Sequence, residues 1–219
     1  MEWSWFPVQL SITVALTATV ITFILGLTAA YGVATRRIKG KAVIETIFFM
    51  PLVLPPTVIG FILIVVFGMN SPVGQWVEWM TGRSLLFTAT AATIAATVVA
   101  FPLMYQSIKT GFLSVDQQVV DAAMVDGASE GKLLTHIILP LSHRSIITGV
   151  ILSFTRAFGE FGATLMFAGN IPGVTQTIPT SIYLALETGE TRIAWYYALI
   201  SIGISFLLLL SINRTKGSS

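Results

Sequence analysis

Two ionisable side chains sit where few are found. Arg156 and Glu160 lie inside a long apolar stretch, within the run FTRAFGEFGAT from Phe154 to Thr164. Residues four apart on a helix share a face, so this guanidinium and carboxylate can pair. If the helix is entered near Ser145, Arg156 lies about 16 Å along its axis, close to mid-membrane. A charge at that depth is costly and faces a bundle interior or a cavity. Two readings stay open: an internal ion pair that fixes helix packing, or a pair that lines or gates a pathway. Gly159 and Gly162 flank Glu160 and permit close helix approach or local bending.

Other reactive types offer less. The chain has no cysteine, which excludes disulfides and thiolate metal sites. His136 and His143 stand apart from other ligand types, so no metal site is expected. The run GASEGK from Gly127 to Lys132 faintly resembles a phosphate-binding loop. It is one residue too short, Leu133 stands where Ser or Thr would hold magnesium, and no strand precedes it. ATP hydrolysis is therefore not expected of this chain. No paired Asp or His motif suggests a membrane-embedded enzyme, and no catalytic residue is assigned.

The elements that must position these residues are read from hydropathy. The 219 residues are 54% hydrophobic and only 10% charged, with a mean hydropathy of +0.84. A soluble domain carries about 25% charged residues, so this chain cannot assemble a water-facing surface. Net charge is only +2, which gives no argument for nucleic acid. Five stretches approach the roughly 20 helical residues that cross a hydrocarbon core: about Leu10–Ala34, Thr46–Phe67, Leu85–Ile108, Ser145–Ala168 and Ala194–Asn213. Backbone in lipid must satisfy itself, so each is expected to be helical, and barrel strands would be shorter and alternating. The fold class is an all-α membrane protein, a polytopic bundle of five transmembrane helices in a single domain over 1–219. The N-terminus lacks a basic n-region, and the apolar run behind it is too long for a signal-peptide core, so it reads as a retained helix.

Basic residues set the orientation. Arg36, Arg37, Lys39, Lys41, Lys109, Lys132, Arg144, Arg214 and Lys216 fall in connections on one side, against Arg83 and Arg192 on the other. That asymmetry predicts the N-terminus outside, the C-terminus in the cytoplasm, and a cytoplasmic loop over about 111–143. Trp3, Trp5, Trp76, Trp79 and Trp195 then fall near the outer boundary as interfacial anchors. Pro51, Pro55 and Pro56, at the start of the second stretch, must kink or loosen it. Ala92, Ala96 and Ala100 form a small-residue packing stripe in the third. No internal repeat is visible, which weakens a secondary-transporter reading.

The cytoplasmic loop has helical signals. Ser114 and Gln117 fit a capping box, opening a helix over about Val115–Asp126 with Val115, Val119, Ala122 and Ala123 as its apolar stripe. Gly127 is placed to end it in a left-handed conformation. A second helix near Ser129–Leu139 puts Leu133, Leu134, Ile137 and Ile138 on one side, and Pro140 interrupts it. From these features alone the hairpin either covers the bundle or docks a partner.

The same loop resembles the EAA motif of ABC importer permeases. Asp121-Ala122-Ala123, three residues, Gly127, nine residues, Ile137, one residue, then Leu139-Pro140 agrees with the family pattern at every spacing. Asp121 stands where the family has Glu, one methylene shorter. The resemblance implies a type I importer permease whose loop is a coupling helix–turn–helix. Asp121, Ala122, Ala123 and Gly127 would lie at the ATPase-docking surface, and Ile137, Leu139 and Pro140 would orient the second helix. The segment around Arg156 is similar to permeases for molybdate and for sulfate. Met50–Thr57 and Asn170–Pro179 resemble molybdate permeases, the latter discriminating against sulfate. The resemblance covers most of the chain from about Leu10.

What it implies is a membrane subunit of an ATP-driven importer for molybdate, in a bacterial or archaeal cytoplasmic membrane, with sulfate, thiosulfate or tungstate as alternative cargo. Two copies would form the pore. Cytoplasmic ATP-binding subunits would carry ATP and magnesium, with no cofactor on this chain, and an extracytoplasmic binding protein would deliver and select the oxyanion. Arg156, Glu160, Gly159 and Gly162 would lie on the pathway or gate. The rival from another class, an ion-coupled secondary transporter, needs no ATPase and calls for more intramembrane carboxylates than Glu160.

Overall fold

The computed structural model describes residues 3–35 and 39–216. Arg36 and Arg37, two of the basic residues used for orientation, and the first two residues of the N-terminus lie outside the described residues. The described residues form helices and no strand: α1 (Phe6–Thr35), α2 (Lys41–Val53), α3 (Pro56–Phe67), α4 (Pro72–Thr81), α5 (Ala89–Leu113) and α6 (Gln117–Val125), then α7 (Glu130–Leu141), α8 (His143–Phe158), α9 (Gly162–Phe167), α10 (Ile178–Glu187) and α11 (Thr191–Lys216).

Three helices are individually long and apolar enough to cross a membrane: α1, α5 and α11. The count reaches five when each of two bent pairs, α2 with α3 and α7 with α8, is one span. The second expected span, Thr46–Phe67, is thus not one helix. Its axis turns by 115° between α2 and α3. The cause is local. A residue before proline is driven out of the helical region. Leu54 precedes Pro55 and adopts φ −68°, ψ 142°, and Pro55 precedes Pro56 and adopts φ −54°, ψ 137°. Two successive extended residues end α2, and Pro56 opens α3 at a position where a missing N–H costs nothing. The prolines therefore break the span in its middle.

The fourth expected span, Ser145–Ala168, also divides. α8 ends at Phe158 and α9 resumes at Gly162. Two short helices, α4 and α10, occupy connections between the expected spans. Ser71 caps α4, accepting from the Gly74 N–H at 2.8 Å. The exposed Trp76 and Trp79 lie on α4, and Trp3 stacks on Tyr197 of α11 at 4.6 Å.

The central element is α5, which packs against α1, α8, α9, α3 and α2. Ala92, Ala96 and Ala100 have no exposed surface, in keeping with their reading as a packing stripe. Small residues permit close approach on the neighbours too. A Cβ on Gly149 of α8 would lie 2.7 Å from Ser107 Cβ, and one on Gly60 of α3 would lie 2.6 Å from Met166 Cβ and 3.2 Å from Ala163 Cα. A Cβ on Gly162 would lie 2.8 Å from Pro56 Cβ. The two broken regions therefore meet, with the start of α9 seated on the start of α3.

This contact yields a contrast. Gly60→Val overpacks the α3–α9 crossing and should lower stability by about 1–3 kcal/mol. Gly32→Ala, where a Cβ meets nothing within 4 Å, should be neutral or slightly stabilising. Thermal unfolding of both variants in detergent measures the difference.

Candidate functional site

The hairpin expected over about 111–143 forms, with shifted details. α5 continues to Leu113, so Gly111 to Leu113 belong to it and Ser114 serves as its C-cap, donating to Gly111 O at 2.7 Å. Ser114 is then unable to cap the next helix, and the expected Ser114–Gln117 capping box does not form. Asp116 caps α6 instead, its Oδ1 accepting from Gln118 N–H at 2.9 Å. Gln117 Nε2 donates to Asp121 Oδ1 at 2.8 Å.

The later start of α6 corrects the apolar stripe. Val115, Val120, Ala123 and Ala128 pack against a cluster containing Phe112, Leu133 and Ile138. Val119 and Ala122 face outward. Gly127 adopts φ +85°, as its place predicts. Its N–H donates to Met124 O at 3.0 Å, and Ala128 N–H donates to Ala123 O at 3.0 Å. That paired closure is the Schellman arrangement, which uses a left-handed residue with no Cβ penalty.

In α7 the structure departs again. Pro140 does not interrupt the helix at Leu139; the helical stretch reaches Leu141. A π turn over Leu134–Ile138 precedes it, with Leu139 N–H donating to Leu134 O. Pro140 has no N–H to continue the ladder, and the widened turn accommodates that loss. Leu133 and Ile138 are buried and Leu134 and Ile137 half-buried, so the expected inward side is correct. Leu139 packs on the same cluster, and Pro140 is exposed. His136 and His143 are both exposed.

The motif residues therefore separate by face. Asp121, Ala122 and Gly127 are exposed at the tip, Ala123 is turned toward the bundle, Leu139 packs on the cluster and Ile137 is half-buried. The exposed face also carries Val119, Met124 and Val125, the last 87% exposed. Sequence reasoning put Val119 on the inward stripe by counting from Val115, which lies before the helix, and did not single out Met124 or Val125.

Arg156 and Glu160 are paired, with Arg156 Nη1 donating to Glu160 Oε2 at 2.6 Å. They do not share one continuous helix face, as spacing suggested. Glu160 lies in the break between α8 and α9, and its Oε1 accepts from Ala163 N–H at 2.8 Å. Both carboxylate oxygens are thus engaged, one by a cation and one by a buried first-turn N–H of α9 that has no partner within the helix. The Glu160 side chain is 2% exposed and that of Arg156 28%. Gly159 ends α8 in open space, while Gly162 supplies the close approach to Pro56.

A second charged cluster was not foreseen. Lys109 is not in a connection but within α5, where it pairs with Glu45 of α2, so Arg156 is not the one cation inside a helical span. Tyr105 Oη donates to the same Glu45 oxygen at 3.0 Å. The signal was present in the i, i+4 spacing of Tyr105 and Lys109.

The fold is that of the membrane subunits of ABC transporters. It superimposes on a chain of a bacterial alginate ABC transporter solved with an alginate pentasaccharide-bound periplasmic protein, with TM-score 0.77, 16% identity, and coverage of 99% of this chain and 79% of that one. A chain of the MetNI methionine ABC transporter in an inward-facing conformation matches with TM-score 0.73 at 13% identity, over 98% and 97%. Residues 22–214 match the family described as the binding-protein-dependent transport system inner membrane component, and the chain belongs to that family. Among its relatives, YvgM of Bacillus subtilis (strain 168), provisionally named a molybdenum transport system permease protein, is 54% identical over 210 residues, 96% of this chain and 92% of that one. The molybdenum transport system permease protein ModB of Escherichia coli (strain K12) is 36% identical over 208 residues, 94% and 90% of the two chains.

The buried carboxylate gives a stability test. Arg156→Met removes its cation partner and should destabilise by about 3 kcal/mol or more. Adding Glu160→Gln removes the stranded charge while leaving an amide oxygen for Ala163 N–H, and should recover part of the loss. Unfolding midpoints of the single and double variants in detergent give the comparison.

Proposed function

We propose that this chain is the membrane-spanning subunit of an ATP-driven importer that carries molybdate into the cell. The observation that carries the importer reading is the loop: an EAA-type spacing folded into a capped hairpin whose tip exposes Asp121, Ala122, Gly127 and Val125. Molybdate is supported by the names of relatives that match over nearly their whole length. Sulfate, thiosulfate and tungstate are the competing oxyanions within this reading.

In this reading 1–219 is one permease domain with a coupling loop at about 111–143. The N-terminus faces out and the C-terminus faces the cytoplasm. Two copies enclose the pathway, two cytoplasmic ATPase subunits seat the α6 hairpins, and an extracytoplasmic binding protein delivers the anion. ATP and magnesium belong to the ATPase, and this chain binds no cofactor. Closure of the ATPase pair draws the hairpins together and rocks the bundle to its outward-open state. Leu139 passes that motion on by holding α7 to the bundle, and Ile137 and Pro140 set the course of α7. Arg156, Glu160, Gly159 and Gly162 lie at the pathway, because a guanidinium at this depth requires a protein or aqueous neighbour.

Reconstitution with an ATPase subunit and a molybdate-loaded binding protein tests the proposal. Molybdate uptake should require ATP; uptake without ATP, or failure of any ATPase to associate, refutes it. Gly127→Leu meets no neighbour within the chain. It should insert normally, with backbone strain of about 1–2 kcal/mol, and weaken ATPase association in co-purification. Gly127→Asn, which tolerates the left-handed region, should retain association.

A further inference from the structure

We propose that the outward face of α8 is one wall of an oxyanion conduit ending at Arg156, where Glu160 orients the guanidinium and cancels its charge so that the anion is held weakly. The inference rests on the importer reading, with a second copy as the opposite wall. α8 has two unlike faces. Gly149, Ser153 and Ala157 are buried toward α5, and Ser153 Oγ donates to Ala100 O at 3.4 Å. Arg144, Thr148, Thr155 and Gly159 fall on the other side at helical spacing and none of them is buried, while Arg156, seven residues after Gly149, is half-buried on the boundary between that stripe and the face toward α5. That stripe runs about 22 Å from the cytoplasmic end of α8 to the break.

Threonines alone do not mark a wet face. Thr148 and Thr155 donate to carbonyls of their own helix at 3.0 and 2.8 Å, and Thr28 of α1 does the same. The guanidinium decides the matter. Among the described residues Arg156 pairs with Glu160 alone, and its side chain is 28% exposed with further N–H donors left over. Lipid supplies no acceptor for those donors at this depth, and a tetrahedral oxyanion does.

Glu160 cannot swing out to compete for the donors, because its second oxygen holds Ala163 N–H and its side chain is 2% exposed. It is a positioning residue. A lone guanidinium in a low-dielectric conduit would trap a divalent anion, whereas a neutralised one permits entry and release. Ile151 and Leu152 interrupt the polar stripe, which limits the hold further.

The absence of native cysteine makes single cysteines clean reporters. Thr148→Cys, Thr155→Cys and, as an exposed apolar reference on α11, Ile202→Cys are each placed in the reconstituted complex with ATPase and binding protein. A membrane-impermeant methanethiosulfonate bearing a sulfonate should label the two α8 positions about tenfold faster than Ile202→Cys, since thiolate forms in water and not in lipid. Molybdate should slow labelling at Thr155→Cys. Adding Glu160→Gln should lower the protecting molybdate concentration about tenfold by leaving the cation unneutralised, and adding Arg156→Met should remove protection. Labelling at Thr155→Cys as slow as at Ile202→Cys, or protection unaltered by Glu160→Gln, overturns the conduit. ATP-driven uptake by the unsubstituted complex is measured alongside. Labelling and protection without ATP-dependent uptake refutes the importer reading, and uptake without labelling refutes the conduit alone.

Discussion

A backbone in lipid must satisfy its own hydrogen bonds, and the rest of this structure depends on how it does so where helices break. Continuous helices such as α1, α5 and α11 meet the requirement without help. The chain is not continuous at Leu54–Pro55 or at Gly159–Phe161. At the second break a buried first-turn N–H of α9 finds a carboxylate, Glu160, and that carboxylate finds a cation, Arg156. The break thus accounts for a charged pair in an otherwise apolar region. The two breaks also meet, through Gly162 on Pro56 and Gly60 on Met166. Glu160 at the second break is buried, whereas Val53, Pro55 and Pro56 at the first are exposed on this chain.

The same constraint made the bundle legible from hydropathy, and its exceptions were legible only in part. The helical class, the Ala92–Ala96–Ala100 stripe and the left-handed Gly127 follow from composition, spacing and glycine chemistry. The three prolines announced a disturbance in the second span, but their order, with Pro55 and Pro56 adjacent, is what splits it. The break at Gly159–Phe161 has no proline to announce it. It depends on Glu160 reaching both Arg156 and Ala163 N–H, a tertiary arrangement that i, i+4 spacing alone reads as ordinary helix. The α6 stripe failed for a similar reason. A capping box is defined by local residues, but Ser114 was already committed to α5, and the start of α6 moved to Asp116.

Function joins the two ends of α8. At its N-terminal end α7 turns into α8 through a 74° bend, and α7 follows the α6 tip. At its far end α8 stops at the Arg156–Glu160 pair. In the proposed mechanism a displacement of α6 would be carried along a packed helix, seated on α5 by Gly149 and Ser153, to the Arg156–Glu160 break. The Glu45–Lys109 pair ties α2 to α5 independently, so the two bent pairs are held to one central helix by different chemistry.

The central claim is that the work of transport enters through the exposed face of α6. Amide hydrogen exchange on the reconstituted chain, with and without its ATPase subunit, tests this most directly. The account predicts new protection over residues 117–129 on ATPase binding, largest beside Val125 and Gly127, with α1 and α11 unchanged. Exchange over 117–129 that stays the same while the ATPase is bound contradicts it.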